Sequence, residues 1–168
     1  MVSGVKPAVS ILKDVKLLQA FTDAELAQLT HVGSTAHYED HANIVIEGEL
    51  SWGLYVILQG VVGIFKNNAM TGEPYDVGQL RDGNFFGEMS LVDDKPRSAT
   101  VRALTPCEVF YVSKESFNAF LDQSKDRKLK FYETCIHNVV SRLRELDENY
   151  VVSQYQLWKA AFQRKDAA

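Results

Sequence analysis

The chain has 168 residues, a formal net charge of −4, and hydrophobic and charged fractions of 46% and 24%. That is enough for one domain with a buried core and an appendage, and tight for two domains. The balanced composition excludes general disorder, and the mild acidity argues against a nucleic-acid binder with a broad basic face. No apolar run approaches the roughly 18 residues of a membrane span. Lys13, Asp14 and Lys16 interrupt the N-terminal apolar residues where a signal peptide would be continuous. Cys107 and Cys135 are too few for a disulfide scaffold, so the expectation is two reduced thiols in the cytoplasm.

Charge divides the chain. Residues 1–124 carry −7 and residues 125–168 carry +3. This predicts an acidic body over 1–124 and a basic helical arm over 125–168.

In chain order, Val9, Leu12, Val15 and Leu18 recur every third residue, predicting a short helix after Pro7. Thr22-Asp23-Ala24-Glu25 has the form of a capping box and predicts the start of a second helix, with Phe21 as a staple. From about Thr35 the pattern turns to short β-rich runs: 43–46, 53–58, 61–66, 75–80, 98–103 and 108–112. Gly and Asx punctuation separates them, at Glu47-Gly48-Glu49, Gln59-Gly60, Asn67-Asn68, Thr71-Gly72 and Asp82-Gly83. Many short strands without intervening helices predict a sandwich, jelly roll or small barrel.

A helix is expected from Lys114 to Gln123 with Ser113 as its N-cap, then a long one from about Asp126 toward Phe162. In the long helix Leu129, Tyr132, Ile136, Val139, Leu143, Leu146, Tyr150, Ser153, Leu157 and Ala160 alternate steps of three and four. That is a heptad seam, weakened distally by Ser153 and Ala160. A helix of about 34 residues extends roughly 50 Å, more than a small barrel can cover, so its distal part is expected to pair with a second copy.

Function concentrates in Phe86-Gly87-Glu88-Met89-Ser90 and Pro96-Arg97-Ser98-Ala99-Thr100-Val101. Gly87 permits a tight turn and close approach of a ligand to the backbone. One helical turn from Glu88 would present N–H groups that favour an anion. Arg97 offers a planar fork that matches phosphate oxygens, with the Ser98 hydroxyl beside it. A carboxylate at Glu88 next to an anion makes sense only if it addresses neutral hydroxyls such as a ribose. Phosphate, sugar diol and apolar wall together describe a nucleotide.

These residues resemble the phosphate-binding cassette of the cyclic nucleotide-binding domain family, as found in catabolite-activator and fumarate-nitrate regulators and in kinase A regulatory subunits. The likeness extends to Ile46-Glu47-Gly48-Glu49, Tyr55-Val56-Ile57, Gly60-Val61-Val62 and Leu80-Arg81-Asp82-Gly83. The resemblance implies a mainly β fold, an eight-stranded jelly roll with flanking N-terminal helices and a long C-terminal helix. It also implies roles. Arg97 would pair with the cyclic phosphate, and Ser90, Ala99 and Ser98 would complete its shell. Gly87 and Glu88 would hold the ribose 2′-hydroxyl, and Met89 would pack beside the purine or sugar. Arg142, Leu146, Asp147 and Tyr150 on the long helix are candidates for the base edge.

The expectation is a regulatory sensor that binds cAMP in preference to cGMP, requires no cofactor, metal, membrane or nucleic acid, and moves its C-terminal helix to signal to an effector. Two alternatives stand beside it. One is the sensory piece of a catabolite-activator-like regulator without its helix-turn-helix, since only six residues follow Phe162. The other is a metal-dependent jelly-roll enzyme, suggested by His31 and by His37-Tyr38-Glu39-Asp40-His41. That second stretch lacks paired H-x-H strand ligands and reads as an exposed polar turn. No serine sits in a nucleophile-elbow context. The length suits a complete sensor without an effector of its own.

Overall fold

The computed structural model describes residues 2–3, 9–50, 53–93 and 95–163. The chain divides into two compact units, Met1–Lys130 and Phe131–Ala168.

In the first unit, α1 (Val9–Asp14) and α2 (Asp23–Val32) follow a two-residue strand, β1 (Val2–Ser3). Pro7, expected to open α1, lies outside the described residues. The three-residue apolar period is only partly α-helical. After α1 the backbone continues in i→i+3 turns: Val15, Leu18 and Phe21 N–H donate to the carbonyls of Leu12, Val15 and Leu18 at 3.2, 2.8 and 3.0 Å. A strict period of three belongs to 3₁₀ geometry rather than to the 3.6 of an α-helix. All four of these side chains are buried. The capping box forms as expected: Thr22 N–H donates to the Glu25 carboxylate at 2.8 Å, and the Thr22 hydroxyl accepts from Glu25 N–H at 3.3 Å.

The β body follows: β2 (Ser34–Tyr38), β3 (Asn43–Val45), β4 (Gly53–Gln59), β5 (Val61–Asn67), β6 (Pro74–Arg81), β7 (Phe85–Phe86), β8 (Thr100–Ala103) and β9 (Cys107–Ser113). A single turn, α3 (Met89–Val92), lies between β7 and β8. One antiparallel sheet has the order β1-β2-β9-β4-β7, the other β3-β8-β5-β6. β2 to β9 are the eight strands of the expected jelly roll, and β1 adds a short pairing at the edge.

Two local expectations need correction, and one strand, β7, had no counterpart among them. His37 and Tyr38 belong to β2 rather than to a polar turn, because Ser34–Tyr38 pairs along its whole length with β9. Its composition, Ser-Thr-Ala-His-Tyr, conceals this: only Thr35 is fully buried. β7 is two residues long, too short for an alternating pattern to register. The strand expected from Ser98 begins at Thr100.

β4 is apolar on consecutive residues because it is covered on both faces. Tyr55 and Ile57 join the core inside the roll with Val45, Val62, Phe86, Val101, Ala103 and Val109. Leu54 and Val56 are equally buried, and α4 (Lys114–Asp122) packs on β4 and β9. The Ser113 hydroxyl caps α4 by accepting from Ser116 N–H at 3.2 Å. Phe21 meets Phe120 edge to face at 5.5 Å, joining the N-terminal segment to α4.

The last helix, α5 (Lys125–Gln163), runs one residue beyond the expected span at each end. In the second unit Tyr132, Ile136, Val139, Leu143 and Tyr150 are exposed at the seam spacing. The side chains of Leu146, Leu157 and Ala160 lie outside the described residues.

Candidate functional site

The site is built on the connection from β7 to β8. At Gly87 the chain turns with φ of +84°, a conformation that disfavours any residue with a Cβ. A Cβ there would lie 2.5 Å from both Arg97 Nη1 and the Gly53 carbonyl oxygen, so the turn needs glycine for conformation and for space. Glu88 takes helical geometry and α3 follows, closed by Asp93 N–H donating to the Met89 carbonyl at 3.0 Å.

Arg97 enters from the other side. Its backbone is clamped by the turn after β3: its N–H donates to the Glu49 carbonyl at 3.0 Å, and Gly48 N–H donates to its carbonyl at 2.9 Å. The Glu47-Gly48-Glu49 breaker therefore fixes where the arginine emerges. The side chain is only 7% exposed. Nη1 faces the Ser90 hydroxyl at 3.3 Å and the Gly87 carbonyl at 3.5 Å, and Nη2 faces the Gly53 carbonyl at 3.3 Å. Ser90 is shared within this set, donating to the Gly87 carbonyl at 2.8 Å and accepting from Gly53 N–H at 3.4 Å.

An aromatic row lies alongside. Strand register sets Phe86 opposite Tyr55, and Tyr55 opposite Tyr111. The Tyr55 ring stacks on Phe86 at 4.8 Å and leans on Tyr111 at 4.7 Å. The Arg97 Cζ lies 5.2 Å from the Tyr55 ring centroid. Burial pushes the Tyr55 phenol up to about 12, with the Arg97 charge pulling the other way. Burial also raises Tyr111, helped by the Glu115 carboxylate, and raises Tyr38.

Of the residues expected from sequence, Gly87, Ser90 and Arg97 are brought into direct contact. Glu88 and Ala99 are half-buried nearby in the chain, while Met89 and Ser98 are exposed. Asp147 and Tyr150 are exposed on the second unit, and the side chains of Arg142 and Leu146 lie outside the described residues. The structure adds Gly53, Tyr55, Gly48 and Glu49 to the surroundings of Arg97. Their signal was present as the E-G-E and Tyr-x-Ile spacing, without anything to say that they converge on the arginine. His31, His37 and His41 form no joint site: among the described residues no group of three or more His, Cys, Asp or Glu side chains is placed to hold a metal ion. Among the same residues no helix is long and apolar enough to cross a membrane.

A two-sheet roll whose short Gly-Glu turn and buried arginine meet over one strand is the architecture of a cyclic nucleotide-binding domain. The chain belongs to that family, matching it over residues 35–124. It is 34% identical over 115 residues to a cAMP-dependent protein kinase regulatory subunit of Debaryomyces hansenii, covering 68% of this chain and 24% of that one. Two solved structures are similar. The catabolite activator protein of Thermus thermophilus superposes with a TM-score of 0.71 at 25% identity, covering 82% of this chain and 62% of that one. The regulatory domain of Toxoplasma gondii kinase A, solved with cAMP, gives 0.66 at 26%, covering 76% and 48%. The chain spans about a quarter of the length of the curated relatives it matches.

Proposed function

We propose that this chain is a regulatory cyclic nucleotide sensor rather than a catalyst, that cAMP is its preferred ligand over cGMP, and that occupancy moves its C-terminal helix. The observation that carries the reading is Arg97, held nearly buried against Gly87 and Ser90 inside the Phe86–Val101 cassette. Arg97 pairs with the cyclic phosphate, with Ser90 and Ala99 N–H and the Ser98 hydroxyl completing the shell. Gly87 and Glu88 take the ribose 2′-hydroxyl, and the exposed Met89 covers the sugar or base. The preference for cAMP is supported by the kinase regulatory subunits among the relatives and by the cAMP-bound Toxoplasma gondii domain.

A route for the signal is supported by two contacts. Lys114 Nζ, at the start of α4, donates to the Asp93 carbonyl at the end of α3 at 3.2 Å. Arg127, in the first turn of α5, donates to the Phe120 carbonyl of α4 at 2.7 Å. A cassette that closes on a phosphate pulls on α4, and α4 pulls on the start of α5. Differential contact with the ligand in two such arrangements is what switching requires.

Calorimetric titration with cAMP and cGMP tests the reading. Saturable binding that is tighter for cAMP, and lost in Arg97→Gln, is expected. No binding of either at about millimolar concentration sinks it. At a hundredfold excess over Kd the ligand stabilises the fold by about 2.7 kcal/mol.

The arm pairs with a second copy. Ile136, Val139 and Leu143 are each more than half exposed at heptad spacing, a stripe that association would bury. Light scattering should give twice the chain mass for the wild type and a single mass for Ile136→Lys/Leu143→Lys. A wild-type monomer rejects the pairing.

A further inference from the structure

Arg97 leaves the chain between α3 and β8, three residues before β8 begins at Thr100, so its backbone lies outside both sheets. Its place depends on the turn at 46–49. Glu49 N–H closes that turn on the Ile46 carbonyl at 3.2 Å, and Gly48 takes the positive φ, +84°, that favours glycine. Gly48 and Glu49 make the two backbone bonds to Arg97, at 2.9 and 3.0 Å. The arginine is therefore fixed only as well as the turn is.

Two side-chain bonds fix the turn. Glu47 N–H donates to the Thr100 hydroxyl at 3.0 Å, across 53 positions of sequence. The Glu47 carboxylate accepts from Asn67 N–H at 2.8 Å, across 20 positions. Thr100 and Asn67 stand on neighbouring strands: Thr100 is paired with Phe65 in the β5-β8 register, and Asn67 lies two residues further along β5, past the start of β8. Glu47 thus ties the turn to two strands at once, with its backbone to one and its carboxylate to the other. Removing either bond leaves a backbone donor without its partner and frees the turn to shift.

We infer that Thr100 and Glu47 are positioning residues for Arg97: the Thr100 hydroxyl and the Glu47 carboxylate hold the turn whose backbone sets where the guanidinium stands. Both act through the turn and neither is a ligand contact. The inference rests on Arg97 being the phosphate-binding group. One bond of this kind, lost from the support of Arg97, weakens phosphate binding about fivefold.

The test joins cAMP affinity to amide hydrogen exchange in the full chain. Thr100→Val keeps the branched shape and removes the hydroxyl, and Thr100→Ser restores it. Glu47→Ala removes the acceptor, and Glu47→Gln keeps a carbonyl in its place. Thr100→Val and Glu47→Ala should each bind cAMP about fivefold more weakly, and Thr100→Ser and Glu47→Gln within about twofold of the wild type. The amides of Gly48 and Arg97 should exchange at least about fivefold faster in the two weakened variants, while those of Phe120 and Leu121 in α4 keep wild-type rates. A general loss of stability would quicken the most protected amides as well. If Thr100→Val does not fold, the two Glu47 variants carry the same comparison. Wild-type affinity in Thr100→Val and Glu47→Ala, while Arg97→Gln loses binding, overturns the positioning role and leaves the phosphate reading standing. Weaker binding with unchanged exchange at Gly48 and Arg97 overturns the positioning role too. A wild type that binds no cyclic nucleotide, or an Arg97→Gln variant that binds as well as the wild type, overturns both.

Discussion

Arg127 Nε lies 3.2 Å from the Glu25 carboxylate and joins the first turn of α5 to α2. The side chains are 7% and 15% exposed, so this is an inward pair rather than a surface decoration. The guanidinium is also held by the Phe120 carbonyl at 2.7 Å, Gln123 at 3.2 Å and Gln28 at 2.9 Å, and its Cζ sits 4.2 Å from the Phe120 ring centroid. Three helices meet on one cation. Removing one partner of a buried pair leaves the other desolvated, a cost of about 3–5 kcal/mol. Arg127→Met should lose stability of that order in urea unfolding. A change below about 1 kcal/mol would show the pair to be solvated in practice.

Acid stability should depend on Glu25. Burial alone would raise its carboxyl; the Thr22 backbone N–H and hydroxyl and the Arg127 guanidinium together hold it below the usual range. A carboxylate depressed in the folded state contributes stability that is fully present above its unfolded value, about 4.3. That stability is lost as pH falls through the folded value. Glu25→Gln should be less stable than the wild type at neutral pH, and the difference should shrink toward pH 3. Denaturant midpoints measured across that range decide it; a constant difference would sever Glu25 from the acid limb.

Gly87→Ala combines strain at φ +84° with a Cβ 2.5 Å from Arg97 Nη1 and the Gly53 carbonyl. The expected cost is about 1–3 kcal/mol of stability, with cAMP affinity reduced because the arginine must move. Thermal melts and calorimetry on the same sample read both effects. Unchanged affinity would mean that the guanidinium has room the geometry does not show.

The alkaline limb should belong to the tyrosines. The unfolded phenol titrates near 10, whereas Tyr55 in the fold is pushed up to about 12, chiefly by burial. The unfolded chain then gives up its proton first, so stability present below pH 10 falls as pH rises toward 12. Tyr55→Phe should flatten that decline. Melting temperatures at pH 9, 10 and 11 that fall in parallel for both proteins would contradict it.

Much of the architecture was legible because its causes are local. The capping box at Thr22 and Glu25, the Ser113 cap, the Gly-bounded strands and the long proline-free helix each depend on neighbours within a few residues. β2 and β7 were not legible: Ser34–Tyr38 owes its conformation to pairing with β9, and Phe85–Phe86 is too short to show a period. The same division runs through the site. The Phe86–Val101 motif named Gly87, Ser90 and Arg97 because a glycine turn and an arginine before a strand carry their chemistry in the residue types.

By itself, then, the sequence determined the family, the elements and the arginine at the centre of the cassette. Only the tertiary structure decided what surrounds that arginine. Tyr55 lies 42 positions earlier in the chain, and the Glu49 and Gly48 backbones and the Gly53 carbonyl reach Arg97 through sheet register and a turn contact. Local propensity has no range over such separations. The cation's surroundings are set by which strands lie side by side, and that is settled by burying both faces of β4 at once.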